Sequence, residues 1–192
     1  MSQILKQIKN RVLSRYYYYM ELIFPSSIIE GKEIPVIINN FNRLSSLDNL
    51  IKALEKRGYR NIYIIDNKST YPPLLEYYNT CPYKIFMLDK NLGFKALWKS
   101  GLSKKICTDY YIYTDSDVMP IDECPDDFVD HMFKLQKKYK YVRKIGLSLR
   151  IDNLPDHYKL KNKVIEWESK FYKIKNEDGL YLAPVDTTFA LY

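Results

Sequence analysis

Tyr110-Tyr111-Ile112-Tyr113-Thr114-Asp115-Ser116-Asp117 is the stretch on which the reading of this chain turns. Five bulky, β-favouring residues run into two carboxylates separated by one residue. Alternate residues of a strand point to the same side, so Asp115 and Asp117 are expected to share a face. Carboxylates so placed repel each other unless a positive charge sits between them. Oxygen donors of this kind favour Mg²⁺, Mn²⁺ or Ca²⁺ over softer metals. The tip of such a strand is also where open α/β sheets bind ligands. The stretch therefore predicts metal-assisted chemistry on a phosphorylated compound.

Working outward, the chain before these carboxylates alternates between strand and helix patterns. Ile34 to Ile38 reads as a strand buried on both faces. Ser45 or Ser46 is placed to cap a helix carrying Leu47, Leu50, Ile51 and Leu54, and Gly58 suits its end. Asn61 to Asp66 is a second strand, and Pro72-Pro73 opens a short helix with Leu74, Leu75 and Tyr78. Tyr83 to Leu88 is a third strand, Phe94 to Ser100 a helix stopped by Gly101, and Tyr110 to Thr114 the fourth strand. This order predicts an α/β fold: a mostly parallel, Rossmann-like sheet flanked by helices, with right-handed crossovers. Downstream the pattern loosens. Asp126 to Lys138 reads as an amphipathic helix, Ile145 to Ile151 as a strand, and Val164, Trp167 and Phe171 as another helix. Asn176 to Gly179 is a turn, and Val185 to Tyr192 a terminal strand.

Composition narrows the partners. At 192 residues the chain is long enough for one domain with a real core. A net charge of +7 favours anionic partners, but the basic residues are scattered, so no nucleic-acid partner is expected. The 19 tyrosines fit either stacking on sugars and bases or a coding bias. Cys81, Cys107 and Cys124 are odd in number and lack CxxC spacing, which argues against disulfides or zinc and fits a reducing compartment. No apolar run is long enough to span a membrane, and no signal-peptide cleavage site is evident. Residues 1–30 stand apart from the domain expected over 31–192. Ile4, Leu5, Ile8, Val12 and Leu13 fall at helical spacing among Lys6, Lys9, Arg11 and Arg15. A basic amphipathic helix of this kind predicts peripheral membrane contact through residues 1–24, at the cytoplasmic face.

Three strand ends carry polar groups on the same side of the expected sheet. They are Asn39-Asn40-Phe41-Asn42-Arg43, Asp66-Asn67-Lys68-Ser69-Thr70 and Asp115-Ser116-Asp117. In a parallel sheet such ends converge on one crevice. Asp66 is placed to accept hydrogen bonds from a base or ribose, Phe41 to stack on a base, and Arg43 to neutralise phosphate.

These stretches, in this order, resemble family 2 glycosyltransferases, the nucleotide-sugar-dependent enzymes of the GT-A fold. Ile37 to Arg43 resembles their first strand and loop, and Ile64 to Thr70 their second nucleotide-binding turn, where an Asp meets the base. Asn91-Leu92-Gly93-Phe94 and Gly101 resemble the segment that closes over the nucleotide. Asp115-Ser116-Asp117 resembles their DxD motif. The resemblance spans roughly residues 34 to 120. It implies a GT-A fold and sugar transfer from a nucleotide-sugar donor (UDP preferred over GDP) to a saccharide, glycolipid or glycoprotein acceptor. It further implies that Asn39, Asn40, Phe41, Arg43, Asp66, Asn67, Asn91, Gly93, Asp115 and Ser116 bind the donor. Asp115 and Asp117 would hold Mn²⁺ or Mg²⁺.

Sugar transfer with inversion also needs a carboxylate to take the acceptor's proton. Asp186, Asp152 and Glu168 are the leading candidates, with Glu166 beside them. Asp186 stands in an otherwise apolar terminal segment, Asp152 at a strand end, and Glu168 beside Trp167, whose ring could stack on a sugar. The chain departs from the family here. It lacks the Glu-Asp pair that usually supplies the base, and its downstream histidines are only His131 and His157. It also stops at Tyr192, where such enzymes usually continue, so a truncated C-terminus or a minimal enzyme is expected. Two competing readings use the same features: a haloacid-dehalogenase-like phosphatase with Asp115 as nucleophile and Asp117 as acid/base, and a basic nucleic-acid-binding module. The first normally carries its motif near the start of its domain. A sugar nucleotidyltransferase would need a Gly-rich loop where Asn39 to Arg43 has no Gly.

Overall fold

β1 (Val36–Asn40) is buried along its whole length, because it has a parallel neighbour on each side. β2 (Ile62–Asp66) lies on one side of it and β4 (Ile112–Asp115) on the other, and β3 (Lys84–Met87) continues the parallel set beyond β2. β6 (Ala190–Leu191) runs antiparallel to β4, and β5 (Ile145–Gly146) pairs with β6. The sheet order is β3-β2-β1-β4-β6-β5. The computed structural model describes residues 12, 15, 16, 19, 20, 23, 30–139, 142–185 and 187–192.

Alternation along the buried strands feeds two separate cores. Val36 and Ile38 of β1, with Ile62 and Ile64 of β2, pack with Leu47, Leu50, Ile51 and Leu54 of α1 (Leu44–Lys56). Leu74 of α2 (Pro72–Tyr78) and Phe128, Val129, Met132 and Phe133 of α5 (Phe128–Lys138) complete that core. Ile37, Ile65 and Tyr113 belong to a second cluster, with Ala96 and Leu97 of α3 (Ala96–Lys99) and Leu102, just before α4 (Ser103–Ile106). Each such side chain taken fully out of water contributes about 1.5–3 kcal/mol, so the two cores hold the helices to both faces.

Element by element, the alternation expected from sequence is present, with displaced edges. β1 starts two residues later than Ile34, and Pro35 uses its carbonyl to accept from Ile112 N–H. α1 begins at Leu44, so Ser45 and Ser46 lie inside its first turn and do not cap it. The cause is Asn42, whose φ of 54° turns the chain sharply at the end of β1. Its side-chain oxygen is already taken by the N–H groups of Thr70 and Tyr71. Gly58 ends α1 as expected: at φ 84° it lets its N–H reach Glu55 O while Tyr59 N–H reaches Leu54 O. α4 was not anticipated.

The second half departs further. Of the strand expected over Ile145 to Ile151, only Ile145 and Gly146 join the ladder, extended by Leu147 N–H to Phe189 O. Of the described residues in the terminal strand expected over Val185 to Tyr192, only Ala190 and Leu191 do. Phe189 is the reason: its φ of 44° breaks the extended run. This is an unusual conformation for a bulky residue and needs its surroundings to hold it. Phe189 is fully buried against Phe128, and its N–H donates to Thr114 Oγ1. α6 (Lys161–Glu168) continues as a 3₁₀ turn over Ser169–Tyr172, and Asn176 to Gly179 forms the expected turn within a small hairpin closed by Lys175 and Tyr181. Most of residues 1–30 lie outside the described residues. Those described between 12 and 23 are helical, and Val12, Tyr16, Tyr19 and Ile23 are exposed. Among the described residues, no helix is long and apolar enough to cross a membrane.

Candidate functional site

Because β1, β2 and β4 are parallel and in register, their C-terminal ends fall at one edge of the sheet: Asn39 stands opposite Ile65 and Asp115, and Asn40 opposite Asp66. Polar side chains at these ends are buried, so each needs a partner. They find one another, in two networks on opposite sides of β1.

The first network crosses five segments. Asn67 Oδ1 accepts from Leu92 N–H at 3.0 Å, and its Nδ2 donates to Gly93 O at 3.2 Å and to Asn39 Oδ1 at 2.6 Å. Asn39 Nδ2 donates onward to Asp115 Oδ1 at 3.0 Å. The other oxygen of Asp115 accepts from Thr187 Oγ1 at 3.0 Å. Ser116 N–H donates to Asn39 O, closing the β1 and β4 ends together. Both carboxylate oxygens of Asp115 are therefore held, and its orientation is fixed from two sides.

The second network serves Asp66. Its Oδ1 accepts from Ser69 N–H at 2.7 Å and its Oδ2 from Tyr78 Oη–H at 2.8 Å, while Asn40 Nδ2 donates to Tyr78 Oη at 2.9 Å. Burial pushes the Tyr78 phenol far above its ordinary range, which keeps it a proton donor to Asp66. Asn40 Oδ1 is buried with no partner among the described residues. Asn42 N–H donates to Ser69 Oγ, so the loops after β1 and β2 are clamped to each other.

Exposed groups stand above this buried layer. Phe41 is 44% exposed, and Arg43 forms an ion pair with Asp117 in which both side chains remain about half exposed. Asn91 is exposed, and its Oδ1 accepts from Gly93 N–H at 2.8 Å. Gly93 has a φ of 69°, and a side chain added there would meet nothing within 4 Å. The structure thus brings Asn39, Asn40, Asp66, Asn67, Gly93, Asp115 and Ser116 into one bonded cluster, joins Arg43 to Asp117, and leaves Phe41 and Asn91 at its surface.

The described base candidates, Asp152, Glu166 and Glu168, do not join these networks. Asp152 is exposed, with Arg150 donating to both of its oxygens at 2.7 and 3.4 Å, and those hydrogen bonds hold its carboxyl below the usual range. Glu168 is half-buried in the wall of a cavity that also holds Tyr172. Glu166 is exposed on α6. His131 lies on α5 and His157 in the loop before α6, and both are exposed. Asp186 lies outside the described residues.

Tyr78 and Thr187 were not singled out from sequence. Tyr78 reads as an apolar helix position, and Thr187 as a neighbour of Asp186. The cue available was Thr187-Thr188 directly before a terminal strand, since hydroxyls in an apolar run need a buried partner.

No protein-family model matches the chain, and no curated protein matches it in sequence. Among solved structures, a crystal structure of S. aureus TarS 1-349 is similar, at 14% identity and a TM-score of 0.50; the match covers 83% of this chain and 46% of that one. A second S. aureus TarS crystal structure is 16% identical, with a TM-score of 0.45, covering 64% of this chain and 23% of that one. This chain thus spans less than half the length of the TarS chains it matches. At such identity the likeness concerns the fold: TarS is a glycosyltransferase with a GT-A-like fold, and the six-stranded, mostly parallel sheet described above is of that kind.

Proposed function

We propose that the chain is a glycosyltransferase that moves a sugar from a nucleoside-diphosphate sugar, UDP-linked in preference to GDP-linked, to a saccharide, glycolipid or glycoprotein acceptor. The observation that carries this reading is the shared edge of the sheet, where the buried Asn39–Asn67–Asp115 network links three strand ends beneath Arg43 and Asp117.

In this reading the buried networks shape the crevice and the exposed groups meet the donor. Phe41 offers a ring face to the base. Asp66 sits below it and holds Ser69 N–H and Tyr78 in place, which shapes the turn that receives the nucleoside. Arg43 neutralises the diphosphate. The loop at Asn91 to Gly93 is anchored to Asn67 and lies over the same edge. For transfer, the acceptor oxygen forms a bond to the anomeric carbon as the bond to the diphosphate oxygen breaks. The electron pair leaves with the diphosphate, and the acceptor's proton passes to a carboxylate. Among Asp186, Asp152 and Glu168, the Arg150 pairing makes Asp152 the weakest base of the described pair.

The donor set suits Mn²⁺ or Mg²⁺. Asp115 and Asp117 supply hard oxygens, and a cationic guanidinium already rests on Asp117. Among the described residues no cluster of three potential metal ligands occurs, so substrate phosphates and water would have to complete the shell of such an ion. When bound, such an ion supplies positive charge to the departing diphosphate. Peripheral membrane contact through residues 1–24 is part of this reading, and the exposed side chains of Val12 and Ile23 are compatible with it.

Thermal unfolding with UDP or GDP, with and without Mn²⁺, tests the proposal, followed by a nucleotide-sugar hydrolysis screen. Metal-dependent stabilisation and sugar release are expected. Stabilisation by an oligonucleotide alone would sink the transferase reading.

A further inference from the structure

Arg43 and Asp117 come from loops that are fixed at their backbones and exposed at their side-chain ends. Arg43 directly follows Asn42, whose N–H donates to Ser69 Oγ at 2.8 Å and whose Oδ1 accepts from Thr70 and Tyr71 N–H at 2.7 and 3.0 Å. It stands at the N-cap of α1, where its side chain makes no cap bond. Asp117 directly follows Ser116, whose N–H donates to Asn39 O at 3.1 Å. Arg43 and Asp117 form an ion pair, and their side chains remain 53% and 44% exposed. Asp115 is placed differently: Asn39 and Thr187 hold one of its oxygens each. Asp117 is therefore the carboxylate of the two that is open to an incoming ion, and a guanidinium rests on it.

We propose that Arg43 and a divalent cation compete for Asp117, and that the donor's diphosphate settles the competition by drawing Arg43 onto itself. The proposal rests on the glycosyltransferase reading above. A cation bound to either oxygen of Asp117 would stand close to the guanidinium, where like charges repel. An exposed ion pair is weak, so little is lost when it opens. A diphosphate suits the same guanidinium: phosphate takes its planar fork in the bidentate manner of a carboxylate and carries more charge. Once Arg43 has turned to the diphosphate, Asp117 is left to the cation. Only side chains need move, because both backbones are anchored. Nucleotide and metal then raise each other's affinity by one and the same factor.

The test uses the full chain and measures two affinities separately. Mn²⁺ binding alone is followed by the paramagnetic resonance signal of the unbound ion, and UDP binding alone by calorimetry in EDTA. Arg43→Gln removes the charge from an exposed side chain and should leave the melting temperature within about 2 °C of the wild type. It should bind Mn²⁺ about three- to tenfold more tightly, because a competing cation is gone. It should bind UDP in EDTA about tenfold more weakly, because a partner of the diphosphate is gone. Opposite signs from one substitution are the signature, since a merely structural Arg43 would weaken both. Arg43→Lys keeps the charge, and its Mn²⁺ affinity should stay within about twofold of the wild type. Mn²⁺ binding by Arg43→Gln that is unchanged or weaker overturns the proposal. Tighter Mn²⁺ binding by Arg43→Gln, with no UDP binding by the wild type, would keep the competition and instead remove the transferase reading.

Discussion

The two halves of the molecule treat their polar groups in opposite ways. At the strand tips, Asn39, Asn40, Asp66, Asn67 and Ser116 are buried and bonded across segments distant in sequence. Beyond residue 142, the polar contacts are mostly exposed, as in Arg150 with Asp152, Lys161 with Asp156 and Lys138 with Asp178. There the ladder shrinks to two-residue strands around a cavity. Buried, satisfied networks fix geometry, whereas exposed pairs contribute little. In the function proposed above, the preorganised first half is the part that holds the donor.

The sharpest way to break this contrast is at its exposed front. Asp117→Ala removes the carboxylate beneath Arg43 without touching either network. Donor turnover should fall by about 10²–10³-fold, the effect of deleting a group that stabilises transition-state charge. The melting temperature should move by no more than about 2 °C, because both partners are half exposed. Survival of turnover would mean that the carboxylate pair is not the reacting edge.

Asn39→Leu attacks the buried layer. It leaves Asn67 Nδ2 and Asp115 Oδ1 each short of a partner. About 2–3 kcal/mol of stability should be lost, seen as a fall of roughly 5–10 °C in melting temperature. A loss below about 0.5 kcal/mol would show that water replaces the amide freely and that the first half is no more preorganised than the second. Thr187→Val is a milder cut in the same network, removing one hydroxyl from Asp115 Oδ2. About 1 kcal/mol is expected, with Thr187→Ser restoring most of it. If the valine variant is as stable as the wild type while the serine variant is destabilised, the methyl group's packing matters and the hydrogen bond does not.

How much of this was legible in the sequence follows the same division. β1, β2 and β4 announce themselves because a strand buried on both faces must be largely apolar, as at Val36 to Ile38 and Ile62 to Ile65. Parallel pairing then fixes which ends meet, so Asn39, Asp66 and Asp115 could be grouped before any coordinates. The partners they chose were not legible. Tyr78 reaches Asp66 only because α2 packs back on the sheet, and nothing local to its sequence says so. The second half resisted because its strands are set by tertiary contact. Phe189 adopts a left-handed backbone to satisfy packing on Phe128, which no strand propensity predicts. Val185 to Tyr192 therefore reads as a longer strand than the one that forms.

The smallest expected effect lies at Asp152, and it separates the halves by function. Its carboxylate is exposed and bonded by Arg150 two residues away, and those bonds hold its carboxyl low. A group so held is a poor proton acceptor near neutral pH. Asp152→Asn should change stability by about 0.5 kcal/mol or less, as usual for an exposed pair, and turnover by roughly twofold or less. Glu168→Gln supplies the contrast, since Glu168 lines the cavity that borders the Thr187 segment. If Glu168 takes the acceptor's proton, its variant should keep UDP stabilisation while transfer to acceptor falls about 10²-fold or more. A large loss at Asp152 with none at Glu168 would reverse the assignment, and would place the reacting acceptor over the exposed loop and away from the cavity wall.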